Sequence, residues 1–297
     1  MTMELEQSKE SEETALSVPS MQRQIQDAQR GNNKDNKAGD DGVDDYEYDD
    51  PNDPYLQMIN FKSIRTNDGL EVAIQVQWLN DKTTKLELST LLEEGDMAPL
   101  FSGAQWAGTR VWHAAIAMVH FLSQEYSNKL PTATLLELGC GLGVPGMLCH
   151  SLYGCETYLT DQESIVSQLI HNVKHIFGPD STNAGASVAS TIHALPLTWS
   201  KDDNLLHKID FSIVINCDCI YEPLYGESWM LLAEVLETVL KRNPGALVLT
   251  SVERRNTDGV DKFLQCMKAS PFVSDVTKVW CDTNFKIEIY QTHGVVS

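Results

Sequence analysis

The sequence predicts an α/β fold, a Rossmann-like seven-stranded mostly parallel sheet with one antiparallel strand, helices on both faces and an N-terminal β-hairpin extension. Three observations predict it. From residue 134 onward, apolar runs of strand length alternate with stretches of helix length, the pattern of a parallel sheet covered on both sides. Leu135-Leu136-Glu137-Leu138 runs straight into Gly139-Cys140-Gly141-Leu142-Gly143, a buried strand entering a glycine-rich turn. Only Asp282-Thr283-Asn284 separates the last two strand-like runs, so they form a hairpin and one strand reverses.

The elements follow in order. Residues 1–54 are polar, and residues 1–50 alone hold 14 acidic and 5 basic side chains of a chain with formal net charge −20. Such a segment buries too little apolar surface to offset the entropy of ordering. The expectation is a disordered acidic tail over 1–54 and one folded domain over 55–297, the tail being either simply solvated or a docking segment for a basic partner. Period-two alternation around Asn67-Asp68-Gly69 predicts a hairpin over 59–76. An amphipathic helix follows over roughly 109–125, with Val111, Ala115, Met118, Val119 and Leu122 on one face. Strands are expected at 134–138, 155–160, 192–197, 211–216, 246–252, 275–282 and 285–291, and helices at 145–153, 162–176, 226–242 and 258–268.

The glycine turn carries the first functional signal. Glycines allow a ligand close to the backbone, and the helix that follows presents unpaired N–H groups. Asp161 stands twenty residues past Gly141, at the end of the next strand, where a carboxylate can take both hydroxyls of a ribose. An adenosine-containing cofactor is the reading. The dinucleotide fingerprint G-x-G-x-x-G is not met, because position 144 is Val and the next glycine is Gly146, after Pro145. That spacing disfavours a dehydrogenase.

Glu137 two residues before Gly139 gives E-x-G-x-G, which resembles motif I of the class I S-adenosylmethionine-dependent methyltransferases. After the fourth strand of the alternating region stands Asp218-Cys219-Ile220-Tyr221, a D-x-x-Y. With Gly108-Thr109-Arg110-Val111-Trp112, Leu195-Pro196-Leu197-Thr198-Trp199 and Glu253-Arg254-Arg255, this resembles family 16 of the seven-β-strand methyltransferases, which contains protein-lysine methyltransferases acting on chaperones, AAA ATPases and elongation factors. The resemblance covers about 55–297. Thr198 departs from the Asp usual before that tryptophan.

The resemblance implies S-adenosyl-L-methionine as cofactor. Trp112 would lie against it, Glu137, Gly139 and Gly141 under its methionine and ribose parts, Asp161 on the ribose hydroxyls, Gln162 beside the adenine, Trp199 flanking the ring, and Cys217 at the end of the fourth strand nearby. Asp218 and Tyr221 would meet the substrate amine, with Asp218 serving the acceptor rather than the cofactor.

Other classes are weighed by the same residues. The acidic charge disfavours nucleic acid as a partner. The seven cysteines fit no disulfide framework of a small secreted domain, and Cys217 and Cys219, a lone C-x-C, are expected as small residues at a strand end rather than zinc ligands. His171 and His175, at i, i+4, are expected on a helix surface, and no metal is expected. No signal peptide or membrane span is legible. The expected protein is a cytoplasmic monomer, with the nucleus as a second compartment, that methylates a lysine of a protein substrate. A histidine acceptor, a small-molecule acceptor and a non-catalytic cofactor-binding scaffold are the alternatives.

Overall fold

The computed structural model describes residues 59–65, 71–78, 84–90, 108, 110–179 and 191–296. The expected acidic tail, the turn at Asn67-Asp68-Gly69 and Thr109 lie outside the described residues.

Two sheets form. The large one contains β4 (Thr134–Leu138), β5 (Glu156–Asp161), β6 (Ile192–Pro196), β7 (Ile213–Cys217), β8 (Leu247–Glu253), β9 (Val273–Asp282) and β10 (Ile287–Gly294). Its order is β6-β5-β4-β7-β8-β10-β9, and β10 runs antiparallel to both β8 and β9 while the other pairings are parallel. The seven-stranded sheet with one reversed strand is the expected architecture. The chain builds outward from β4 through β5 to β6, then returns to place β7 on the other side of β4. This reversal opens a crevice past the carboxyl ends of β4 and β7, where ligands bind in open α/β sheets.

Side chains on successive strand residues point to opposite faces, so a strand buried on both reads as an unbroken apolar run. Leu135 joins one core with Leu159, Ile213, Ile215, Leu249 and Ile289 under α1 (His113–Glu125) and α2 (Val144–Tyr153). Its neighbour Leu136 joins the other core, with Val214, Val248 and Val252 under α6 (Trp229–Arg242) and α7 (Val260–Ala269). The remaining helices are α3 (Glu163–Phe177), α4 (Asn204–Lys208) and α5 (Glu222–Tyr225), the last leading through a 3₁₀ turn into α6. His171 and His175 are exposed on α3, as expected.

Helix α1 starts later than the expected residue 109, because Trp112 is extended (φ −89°, ψ 148°) and caps it. The helix is also buried nearly all round, with Ala114, Ile116, Ala117 and Phe121 covered in addition to the expected face.

The smaller sheet has three strands rather than two. β1 (Ile59–Arg65) and β2 (Glu71–Trp78) form the expected hairpin, and β3 (Thr84–Ser89) adds to β2 with Ile74 opposite Leu88 and Val76 opposite Leu86. Those four side chains enter the core shared with α2 and α3. Polar groups fasten the end of β3 to α3: Ser89 N–H donates to Asn172 Oδ1 (2.9 Å), and its carbonyl accepts from Gln168 Nε2 (2.6 Å) and Asn172 Nδ2 (3.1 Å). Among the described residues, no helix is long and apolar enough to cross a membrane.

Candidate active site

A cavity of about 430 Å³ opens past the carboxyl ends of β4, β5 and β7. It is lined by Trp112, Glu137, Gly139, Gly141, Asp161, Gln162, Trp199, Cys217 and Asp218, nine of the ten residues the sequence singled out. The tenth, Tyr221, is not on the lining; its ring lies against the guanidinium of Arg255.

The turn after β4 is built around glycine. Gly141 has φ +53°, and a Cβ there would sit 2.8 Å from the Gly108 carbonyl oxygen. Its N–H instead donates to Asp161 Oδ2 (2.7 Å), while Asp161 Oδ1 accepts from the N–H of Gln162 (2.7 Å), the residue capping α3. Each Asp161 oxygen therefore has one partner and retains a lone pair for the cavity. Burial pushes the Asp161 carboxyl up, and the two N–H donors oppose that.

Glu137 lies deeper, 1% exposed. Its Oε2 accepts from the N–H of Gly146 (2.8 Å) in the first turn of α2. The approach is possible because residue 146 has no side chain: a Cβ would lie 2.4 Å from Leu159 and 2.7 Å from Glu137 Oε2. Burial raises the Glu137 carboxyl to about 8, the Gly146 bond works against this, and the charge of Asp161 adds to it. Among the described residues neither Glu137 nor Asp161 is ion-paired.

These two carboxyls decide which cofactor chemistry fits. A pyrophosphate would need the N–H groups at the amino end of α2, but Glu137 Oε2 already takes the one from Gly146. S-adenosylmethionine carries no phosphate. Its cationic amino-acid end suits a buried carboxyl without a counterion, and its ribose suits Asp161. The residues fit the group.

The wall beside Asp161 is framed by Gln162, Leu197, Thr198 and Trp199, with Trp199 lying against Gly139. Leu197 is held in place by its N–H bond to the Asp161 carbonyl (2.8 Å). Cys217 and Cys219 are small residues at the end of β7, as expected. Cys219 Sγ donates to the Leu138 carbonyl (3.3 Å), and burial holds both thiols well above their usual range and therefore neutral.

The opposite wall follows β7. Asp218 takes a left-handed backbone conformation (φ +56°), its N–H bonded to the Ser251 carbonyl (2.8 Å), and its carboxylate is 3% exposed. Arg255 meets it as a fork, Nη1 to Oδ1 (3.1 Å) and Nη2 to Oδ2 (2.8 Å), and Oδ1 also accepts from Glu253 N–H (3.1 Å). Tyr221 stacks on the other side of that guanidinium, which lies 5.3 Å from its ring centre. On the lining itself stands Tyr225, with Leu224 and Leu231 at the mouth. Burial, then the charges of Asp218 and Asp161, pushes the Tyr225 phenol far above its usual range, so it stays a hydroxyl.

Sequence reasoning gave no role to Tyr225 or Arg255. The signal for Tyr225 is its position four residues after Tyr221, one helical turn on, at the end of α5.

Comparison with known proteins agrees with this geometry. The profile of a family described as lysine methyltransferase matches residues 102–270. The chain belongs to that family. It is thus a class I, S-adenosylmethionine-dependent methyltransferase.

Among curated relatives, a secreted RxLR effector protein (number 48) of Plasmopara viticola is 34% identical over 51% of this chain and 80% of its own length. A histidine protein methyltransferase 1 homolog of Dictyostelium discoideum is 27% identical over 44% of this chain and 38% of its own. The protein N-terminal and lysine N-methyltransferase EFM7 of Debaryomyces hansenii is 25% identical over 50% and 58%. The chain therefore spans 38% and 58% of the two relatives whose names state an activity, less than two thirds of either.

Proposed function

We propose that this methyltransferase acts on a nitrogen of a protein side chain, with lysine as the acceptor. The observation that carries the reading is the mouth of the cavity. Leu224 and Leu231 line it and are 39% and 45% exposed, beside Met230 at 45%. An apolar, open rim suits a polypeptide lying across the entrance with one side chain inserted, whereas a metabolite is usually enclosed. The family description and the Debaryomyces relative's name support lysine. The acidic balance of the chain suits a basic protein segment and disfavours nucleic acid.

S-adenosylmethionine supplies a methyl group on a sulfonium leaving group. The chain's own residues must align the acceptor and favour its neutral form. Deprotonating an ordinary lysine at neutral pH costs roughly 4.6 kcal/mol, from a pKa near 10.4. A lone carboxylate beside the amine would raise that cost. Here Arg255 offsets the charge of Asp218, while Leu224, Leu231 and the neutral Tyr225 phenol surround the entrance with groups that favour an uncharged amine.

Histidine is the second reading, favoured by the Dictyostelium relative. An imidazole is mostly neutral at pH 7 and needs no such assistance.

The test is transfer of labelled methyl groups into a cell extract, followed by mass spectrometry of any labelled protein. A modified lysine is expected. A modified histidine moves the acceptor to the second reading, and label confined to small molecules overturns the protein reading. Cofactor binding without transfer to anything in extracts of the native host would leave a non-catalytic scaffold.

A further inference from the structure

Arg255 contacts three separate parts of the chain at the edge of the cavity, which backbone and hydroxyl bonds also join: Ser251 Oγ donates to the Ala114 carbonyl (2.8 Å) and Glu222 N–H to the Asp258 carbonyl (3.0 Å). Arg255 stands just past β8, its N–H bonded to Asp258 Oδ2 (3.0 Å). One edge of its guanidinium is used by the Asp218 fork, and Nη2 also reaches Glu253 Oε2 (2.8 Å). Its carbon lies 5.6 Å from the Trp112 ring centre and 5.3 Å from that of Tyr221. Trp112 caps α1 and lines the cavity. Tyr221 caps α5, whose other end carries Tyr225. One planar cation thus ties the start of α1, the loop after β7 and the start of α5 to the end of β8.

We infer that Arg255 is the positioning residue of this site, and that Asp218 acts by holding Arg255 rather than by holding the acceptor amine alone. This rests on the methyltransferase reading of the cavity. Two physical points favour it. Both Asp218 oxygens are already engaged, so the carboxylate is committed to the guanidinium before any acceptor arrives. Only arginine combines a bidentate fork with flat faces that attract aromatic rings; a lysine ammonium is a point charge and cannot do both. Without Arg255, Asp218 is left as a buried carboxylate with no cation in its fork and only the Glu253 N–H on Oδ1. The Trp112 ring, which the Arg110 guanidinium also approaches (5.9 Å), loses one of the two cations against it.

The inference departs from a division of labour in which Asp218 serves only the acceptor. That division predicts cofactor affinity unchanged on mutating Asp218.

Calorimetric titration with S-adenosylhomocysteine, on the full chain, separates the two without any acceptor. The proteins are wild type, Asp218→Asn, Arg255→Met and the double variant, each checked for folding by circular dichroism. Each single change is expected to weaken binding about tenfold, and the double variant about as much as the worse single, as for residues acting as one unit. Arg255→Lys, which keeps the charge, is expected to recover little, and it completes the cycle if the methionine variant does not fold.

Unchanged affinity in the Arg255 variants, or losses that multiply in the double variant, overturns the inference. A wild type that binds the cofactor but methylates nothing sinks the proposed function alone. A wild type that binds no cofactor sinks both.

Discussion

Glu137 is a carboxyl buried with one N–H donor and, among the described residues, no cation, and that gives it a measurable signature. Its pKa is raised from the ordinary glutamate value to about 8 by burial. Between those two values the folded chain holds a proton that the unfolded chain has lost, so stability falls as pH rises across that window, by at most about 1.4 kcal/mol per unit. The contribution is fully present below the ordinary value and gone above about 8. The thermal midpoint of the cofactor-free protein should therefore drop between pH 6 and 8 more steeply in wild type than in Glu137→Gln, and saturating S-adenosylmethionine should reduce the drop by supplying a cation. Equal slopes in wild type and variant would count against an unpaired carboxyl. Glu137 and Asp161 were legible in the sequence because a strand, a glycine turn and the next strand fix their separation locally. Arg255 was legible only as part of the Glu253-Arg254-Arg255 run; its pairing was not, because Asp218 is 37 residues away and their meeting depends on β7 and β8 being neighbours.

Among the elements, α2 bears most directly on the site, since its first turn must reach Glu137. Gly146 allows the approach, and the sequence presented it only as a departure from dinucleotide spacing. Gly146→Ala would press a methyl onto Leu159 and Glu137 Oε2, so a loss of about 1–3 kcal/mol is expected, as in other overpacked cores. Denaturant unfolding measures that loss, and calorimetry should show weaker cofactor binding, because the alanine pushes the Glu137 carboxylate from its place. Retained stability and affinity would mean that α2 can shift to accommodate a side chain. The strands and long helices of the large sheet were legible because hydrophobic period and length agreed. Strand β3 was missed although Lys85-Leu86-Glu87-Leu88 alternates exposed and buried. The run is short, and its pairing with β2 and clamping by Asn172 are tertiary facts. The start of α6 was set three residues early for a related reason: α5 and the 3₁₀ turn continue the helical pattern, but Gly226 (φ +57°) breaks the axis.

At the scale of the whole molecule, charge is divided unevenly. Residues 1–54 hold 15 of the 42 acidic side chains and 5 of the 22 basic ones, which is half of the net −20. The described sheet, cavity and both cores draw on residues from 59 onward. A chain beginning at Tyr55 should then unfold at the same temperature and bind S-adenosylhomocysteine equally well, since no cavity residue is removed. Transfer to a basic acceptor protein should respond differently. An acidic segment attracts a basic partner over roughly a Debye length, about 10 Å at 0.1 M salt, and raises the association rate most at low ionic strength. The shortened chain should therefore show a higher KM than the full chain at low salt, the two converging as salt is raised, with kcat unchanged throughout. A KM difference that persists at high salt would point to specific contacts by the tail, and no difference at any salt would leave it a solvated appendage. A fall in thermal midpoint would instead place part of the fold's stability before residue 55, against the domain boundary read from composition.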